Sequence, residues 1–133
     1  MKAIISICIL FCSAQLFAQS YELKTVYENG NPKSVCVYTD NSNFFFTKFH
    51  SNGNISETGQ FVNGKMDGAW NTYSDAGVHT GEAYYAEGNK TGNWRIYDES
   101  GILKFKIQYE DNKMLSKANF DMSGNALSEI RTR

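Results

Sequence analysis

An internal repeat is the feature that most constrains the fold of this chain. Five segments place an aromatic residue three or four positions before a glycine. These glycines are spaced by 23, 24, 24 and 23 positions, and they are Gly30, Gly53, Gly77, Gly101 and Gly124. Self-similarity at a fixed period of this length is typical of repeat proteins, in which each unit packs only against its neighbours.

The two central units match each other most closely. Residues 61–73 read Phe-Val-Asn-Gly-Lys-Met-Asp-Gly-Ala-Trp-Asn-Thr-Tyr, and residues 85–97 read Tyr-Ala-Glu-Gly-Asn-Lys-Thr-Gly-Asn-Trp-Arg-Ile-Tyr. The outer units are degenerate, since Phe46 and Lys117 stand where the central units have tryptophan. Weaker terminal copies are typical of repeat arrays, because an end unit has one face without a neighbour.

Each repeat contains two turn signals, and the stretches between them are rich in Tyr, Phe, Ile, Val and Thr. This pattern predicts strands joined by hairpins, with glycine supplying the positive φ that tight turns require. We therefore predict an all-β fold, an elongated single-layer antiparallel meander of about ten strands. Strict alternation would place Leu103, Phe105, Ile107 and Tyr109 on one face of the sheet, together with the equivalent residues of the other units.

Residues 1–18 have the pattern of a secretory signal peptide. Lys2 gives a positive start, residues 3–11 are almost entirely apolar, and Leu16-Phe-Ala18 offers a small residue before the cleavage point. We predict cleavage near Ala18 and export to the periplasm or the exterior. The apolar run is shorter than the roughly 20 residues that a membrane-spanning helix needs, so no transmembrane span is predicted.

The repeat domain is predicted to cover residues 19–133. Its units lie at about 24–48, 49–72, 73–96 and 97–119, followed by a partial unit at 120–133.

Composition excludes several classes of protein. Without residues 1–18 the chain has 12 basic and 14 acidic residues, a net charge of −2, which argues against a nucleic-acid binder that relies on its overall field. Cys36 is then the remaining cysteine, so no disulfide framework is expected. Its position in the repeat favours a buried thiol.

Residues suited to catalysis or metal binding are scarce. His50 and His79 are the two histidines, and His79 occupies a position held by Ile55 and Leu103 in other units, which indicates an ordinary sheet residue. Neither a zinc-ligand cluster nor a nucleophile with a base at a familiar spacing is present. The Gly-x-x-x-Gly segments lead into strands, whereas a phosphate loop leads into a helix, and they are interpreted as hairpin turns. We predict no enzyme activity, no metal and no cofactor.

A strip of aromatic side chains is the candidate binding surface, and its predicted members are Phe46, Trp70, Tyr73, Trp94 and Tyr97. In a single-layer sheet part of such a strip stays open, and exposed rings suit a protein partner or a sugar. The predicted partner is another protein or an envelope component. A carbohydrate or cell-wall ligand and an immunity role are the alternatives. We predict a monomer with a tendency to self-associate through its edge strands.

The pattern Tyr-x-x-x-Gly followed by Phe-x-Asn-Gly-Lys-x-x-Gly-x-Trp-x-x-Tyr resembles the MORN-repeat variant of bacterial proteins, including the YwqK-type antitoxin-like group. The resemblance covers about residues 24–130 and is strongest from Phe49 to Gly101. It implies an elongated sheet of β-hairpins that serves as a binding or scaffolding surface without catalysis of its own.

Overall fold

A computed structural model describes residues 20–132, and every regular element in this range is a β-strand. The strands are β1 (Tyr21–Val26), β2 (Pro32–Tyr38), β3 (Phe44–Phe49), β4 (Ile55–Val62), β5 (Lys65–Tyr73), β6 (His79–Ala86), β7 (Asn89–Tyr97), β8 (Leu103–Glu110), β9 (Lys113–Phe120) and β10 (Ala126–Arg131). They form one open sheet in sequence order, and each neighbouring pair is antiparallel. The predicted all-β meander is confirmed. The predicted signal peptide lies outside the described residues.

Two-residue turns close three hairpins on one long edge of the sheet, where residues 39–43 form a longer connection between β2 and β3. Asn63 and Gly64 have φ of 50° and 73°, and Glu87 and Gly88 have φ of 50° and 84°. Two successive positive φ values define the turn whose twist matches that of antiparallel strands. The interpretation of the whole Gly-x-x-x-Gly segment as a turn is therefore wrong in its second half. Gly68 lies inside β5, also with a positive φ of 76°.

That second glycine belongs to a bulge that seats the tryptophan. On β5 three residues, Gly68–Trp70, lie opposite the single residue Gly59 of β4. On β7 the three residues Gly92–Trp94 lie opposite Ala83 of β6. A Cβ atom at Gly59 would lie 2.2 Å from the indole ring of Trp70, so the ring rests directly on the bare backbone of the neighbouring strand.

A second bulge, near the other long edge, changes which face a residue occupies. Thr72 pairs with Gly81 and Tyr73 pairs with His79, so Thr80 is an extra residue on β6. Strands alternate their side chains, so Trp70 and Thr72 share one face, here called the tryptophan face, while Tyr73 and His79 lie on the opposite face.

The prediction of unbroken alternation is therefore wrong at the first residue of β4, β6 and β8. Equivalent register shifts occur where Phe49 pairs with Ile55 and where Tyr97 pairs with Leu103. Each bulge moves this first residue to the opposite face. The side chains from Phe105 onward follow the predicted alternation, because the bulge precedes them.

Among the side chains that the structure describes, one is buried. Trp70 has 5% of its surface exposed, and the other large apolar residues between positions 20 and 132 are half-buried or exposed. A single sheet without a second layer cannot enclose a core, so side chains shield one another only laterally, within one face. Within these residues no helix is long and apolar enough to cross a membrane.

Asparagine side chains join successive turns on the edge opposite the two-residue turns. The Nδ2 atoms of Asn52 and Asn54 donate to the carbonyl oxygen of Asp75 at 2.8 Å and 2.7 Å. The same arrangement one unit earlier joins Asn29 and Asn31 to Ser51. These bonds span one repeat and fix each turn against the next one.

Candidate functional site

A continuous series of aromatic rings runs across the tryptophan face. Neighbouring ring centroids lie 4.6 to 6.2 Å apart. We call this series the aromatic ladder, and its members are Tyr38, Phe44, Phe46, Phe61, Trp70, Tyr85, Trp94 and Tyr109. Offset and edge-to-face contacts at these distances are favourable for aromatic pairs, each by about 0.5 to 1.5 kcal/mol beyond area burial. The ladder therefore holds together a face on which the described part of the chain places no second layer.

The two tryptophans have different surroundings although their repeat motifs match. Trp70 contacts the rings of Phe46, Phe61 and Tyr85, and its Nε1 is buried with no hydrogen-bond partner among the described residues. Trp94 is half-buried. A shielded Trp70 cannot offer its ring to a ligand, so Trp94 is the tryptophan that can.

Trp94 is held in place by polar as well as aromatic contacts. Its Nε1 donates to the carbonyl oxygens of Tyr84 and Thr91, both at 3.1 Å. The ammonium of Lys90 lies 5.1 Å from the Trp94 ring centroid and 5.3 Å from that of Tyr109. Two hydrogen bonds and a cation–π contact fix the ring orientation in advance, which lowers the entropy lost when a ligand binds.

A shallow cleft of about 210 Å³ lies between the two tryptophans. Aromatic walls come from Trp70, Tyr85 and Trp94, and the small residue Ala83 lines it between them. Glu57 also lines this space. Burial, first, and the negative charge of Glu57, second, raise the pKa of Tyr85, so this phenol stays protonated and can donate a hydrogen bond.

The structure divides the predicted strip into two groups. Phe46, Trp70 and Trp94 belong to the aromatic ladder, with the first two rings 5.9 Å apart. Tyr73 and Tyr97 lie on the opposite face. Their ring centroids lie 5.2 Å and 5.4 Å from the centroid of the His79 imidazole. Three positions separate Trp70 from Tyr73, and this odd spacing places them on different faces.

Sequence reasoning missed ladder residues that stand at the ends of strands. Phe61, Tyr85 and Tyr109 each precede a two-residue turn, and each contacts a tryptophan or another ladder ring. The available signal was that they recur at the same interval that separates Trp70 from Trp94. The repeat pattern places them on one face of the sheet, but the predicted aromatic strip does not include them.

The remaining predicted positions fit the sheet as follows. Lys117 occupies the tryptophan position of the degenerate unit, and its ammonium lies 4.3 Å from the ring centroid of Phe105, a cation–π contact in place of ring stacking. Cys36 is a half-buried free thiol opposite Phe46, rather than a fully buried one, and burial raises its pKa. Between residues 20 and 132 no three His, Cys, Asp or Glu side chains gather as metal ligands would.

A charged group on the opposite face ties β6 to β7. The Glu82 carboxylate accepts from the Tyr84 hydroxyl and from Arg95 Nη1, both at 2.6 Å. The Tyr84 hydrogen bond, followed by that of Arg95, holds the pKa of Glu82 below its ordinary 4.5. These contacts favour the ionised carboxylate, so they stabilise the folded state only while Glu82 is charged.

We expect Glu82→Gln to reduce stability by up to about 1 kcal/mol at pH 7, as for a partly exposed ion pair. The folded-state pKa lies below the unfolded value, so this contribution is present above pH 4.5 and is lost as the pH falls through the folded-state value. Thermal unfolding of both proteins from pH 7 downward should show the difference shrinking below about pH 4.5. A difference that stays constant with pH would contradict the assignment.

One family comparison matches a central hairpin. Residues 90–111 match the model of the MORN repeat variant, and this segment covers most of β7, all of β8 and the start of the turn that follows. The match supports the resemblance to the MORN-repeat family. No curated protein matches the chain.

Proposed function

We propose that this protein is an exported, non-catalytic binding or scaffold module, and that the aromatic ladder is its docking surface. The observation that carries the proposal is the ladder itself, a row of rings on a face without a second layer. Aromatic side chains supply large contact areas at low entropy cost and are enriched at interfaces. A repeat-based binding or scaffold role also agrees with the MORN repeat match at residues 90–111.

The carboxylates with a lowered pKa support a non-catalytic role, because their hydrogen-bond partners are structural. Glu82 is engaged by Tyr84 and Arg95. Asp98 and Asp121 accept hydrogen bonds from backbone amides in their own turns, which lowers their pKa. A general acid or base must face a substrate in a concave site, whereas these carboxylates serve the sheet and its turns.

Export is the second part of the proposal, and its support is the pattern of residues 1–18. A positive start, an apolar stretch and a small residue before the cut give the order of a signal peptide. Fractionation of producing cells with N-terminal sequencing is the test. A processed chain starting near Gln19 outside the cytoplasm is expected, and a cytoplasmic chain that retains residues 1–18 would overturn this part.

Photocrosslinking in living cells tests the docking surface. A benzophenone amino acid replaces either Thr72, on the tryptophan face, or Ala69, on the opposite face of the same strand. Both positions are exposed, so neither replacement disturbs a packed side chain. We expect a reproducible envelope partner to crosslink at position 72 and not at position 69, because only position 72 faces the aromatic cleft.

Two outcomes would overturn this assignment. Equal crosslinking at both positions would show that the faces are not distinguished. Crosslinking confined to position 69 would assign binding to the face of Tyr73, His79 and Tyr97. Circular dichroism of each substituted protein confirms that the sheet is intact before the comparison is made.

A carbohydrate or cell-wall ligand is the second candidate, and Trp94 is the observation that favours it. Its half-buried indole is oriented by two hydrogen bonds beside a cleft that carries the Glu57 carboxylate and the Tyr85 hydroxyl. Stacking on a fixed ring with nearby polar groups is a common arrangement for binding a sugar. Trp70, which the sequence pointed to equally, is too shielded to stack on a sugar.

Sedimentation with peptidoglycan tests this candidate. Trp94→Ala should reduce retention roughly tenfold, as expected for loss of an aromatic contact, and Trp94→Phe should keep part of it. Tyr97→Ala is the matched control, since it removes a ring from the opposite face. Retention that is unchanged in Trp94→Ala, or lost equally in Tyr97→Ala, would remove the candidate.

An immunity role, like that of the YwqK-type antitoxin-like group, is the remaining alternative. Its support is the sequence resemblance alone. A toxin gene adjacent to this one would favour it, and neutralisation of that toxin in a co-expression assay would be the direct test.

A further inference from the structure

The two end strands each have an unused hydrogen-bonding edge. Among residues 20–132, β1 pairs with β2 alone and β10 pairs with β9 alone. The Tyr27 N–H bonds to Asn31 within the first hairpin, and the Thr132 N–H bonds to Leu115 of β9. In a strand, the backbone N–H and C=O groups of alternate residues point to the same neighbouring strand. Those of Glu22, Lys24 and Val26 on β1 therefore point outward, away from β2. By the same rule residues 129 and 131 point outward on β10, whereas Leu127 is the extra residue of a bulge between Ala126 and Ser128.

Exposed apolar side chains are concentrated on the same two strands. Leu23, Val26, Leu127 and Ile130 are each 55% to 68% exposed, more than the apolar residues of the central strands. Natural sheets normally protect an open edge with charges, prolines or a covering segment. Here both edges carry charged side chains of both signs, and they also combine unpaired backbone groups with exposed apolar side chains that a joining strand would cover.

We propose that β10 of one copy pairs antiparallel with β1 of a second copy, with Leu23 opposite Ile130, so that copies join head to tail. In this register the outward-pointing residues of the two strands meet. Glu22 then faces Arg131 and Lys24 faces Glu129.

The same register completes the pairing with a hydroxyl pair and a second apolar pair. Thr25 lies opposite Ser128, and Val26 lies beside Leu127 at the β10 bulge. Each position between residues 22 and 26 thus meets a residue of matching chemistry. Cross-strand pairs of this kind each stabilise a sheet by roughly 0.2 to 1 kcal/mol.

The rows of side chains within each sheet agree with this register. Leu23 lies in register with Cys36 and Phe46 on the tryptophan face. Ile130 lies in register with Lys117 and Ile107, at the other end of the same row. Joining Ile130 to Leu23 therefore continues one row from copy to copy and keeps the aromatic ladders of all copies on one face.

The charged residues form an alternating group on the opposite face. Glu129 and Arg131 already make an ion pair at 2.8 Å within one copy. The second copy would add Lys24 and Glu22 directly opposite them. Four charges of alternating sign bind more strongly than an isolated exposed pair, whose contribution is small.

Symmetric pairing of like strands explains less of the exposed surface. Two β1 strands can place Leu23 opposite Leu23 with Glu22 opposite Lys24, but Val26 then lies opposite Ser20. Such a dimer also leaves Leu127 and Ile130 uncovered. Head-to-tail pairing covers all four apolar side chains, and because each copy keeps one free edge at either end, it produces an open series rather than a closed dimer.

Sedimentation velocity over a wide concentration range tests the proposal, with the protein in the form that is purified from its host. A contact between two short strands is smaller than a standard protein interface, so association should appear only at high concentration. We expect a mixture in which dimers, trimers and longer species grow together. A single-chain mass at all concentrations would overturn the proposal, and so would association that ends at the dimer.

Charge reversal tests the register. Lys24→Glu places two glutamates opposite each other, Glu129→Lys places two lysines opposite each other, and each should weaken association roughly tenfold. The double variant restores opposite charges, and an equal mixture of the two single variants should also associate. When like strands pair, β1 with β1 or β10 with β10, positions 24 and 129 never meet. Failure of both the double variant and the mixture to associate would therefore overturn the register. Thermal unfolding at low concentration verifies that each variant is folded.

Discussion

Trp70→Ala is expected to lower the free energy of unfolding by about 4 kcal/mol, a large part of the stability of a domain this size. Trp70 is the one buried side chain among those that the structure describes, and it contacts three other rings of the aromatic ladder. Residues 20–132 supply no second layer to close over the space left by the ring. Its removal therefore exposes Phe46, Phe61 and Tyr85 together.

Urea unfolding followed by circular dichroism is the measurement, with Trp94→Ala as the matched control. Trp94 has the same place in its repeat but is half-buried, so its loss should lower stability by about 2 kcal/mol. Trp70→Phe should fall between wild type and Trp70→Ala, because it keeps a ring and removes a buried N–H without a partner. Equal losses for Trp70→Ala and Trp94→Ala would contradict the central position of Trp70.

Gly59→Ala is expected to destabilise the protein by about 3 kcal/mol although it adds only one methyl group. A Cβ at this position would lie 2.2 Å from two atoms of the Trp70 indole, far inside van der Waals contact. The ring is held by its aromatic neighbours and cannot move aside without separating the ladder. The backbone at Gly59 is extended, so the expected loss comes from the clash and not from an unfavourable φ.

Gly81→Ala is the matched control, because Gly81 also lies in extended backbone on the tryptophan face. Its added Cβ would meet the Thr72 hydroxyl oxygen at 2.5 Å, and rotation of that side chain relieves the contact. We expect a change within about 1 kcal/mol of wild type. In a Trp70→Ala background, Gly59→Ala should become nearly neutral, and additive losses in the double variant would contradict the proposed contact.

The strand meander could be predicted from sequence because its signals are local. Turn glycines at a regular spacing, with short aromatic or β-branched stretches between them, indicate where each strand and turn lies and which strand is its neighbour. The ten antiparallel strands follow directly from that pattern. Predicting which strands pair required no long-range information, since each strand pairs with the next one along the chain.

The faces of the sheet could not be predicted as well, because bulges are not visible in a repeat pattern. Thr80 is an ordinary residue in the sequence, yet as an extra residue it moves His79 to the face of Tyr73. The predicted strip also combined Tyr73 with Trp70, although the three positions between them place the two rings on different faces. One inserted residue reverses the face of each side chain beyond it.

The difference between Trp70 and Trp94 depends on their neighbours rather than on their own motifs. Phe46, from the degenerate unit that precedes it, and Phe61, from its own unit, cover Trp70. Ile107 and Tyr109 flank Trp94 on its far side, and Lys117 follows where a further aromatic ring would stand. A motif that describes one unit cannot report how well the adjacent unit covers it.

The central claim is that the aromatic ladder lies on an open face of a single-layer sheet, with Trp70 shielded only by its neighbours and Trp94 accessible. Acrylamide quenching of tryptophan fluorescence tests this most directly, with Trp94→Phe reporting Trp70 alone and Trp70→Phe reporting Trp94 alone. Measurements at low protein concentration exclude contacts between copies. We predict weak quenching and blue-shifted emission for Trp70, and clearly stronger quenching with red-shifted emission for Trp94. Strong protection of both tryptophans would show that a second layer covers this face, and would contradict the account.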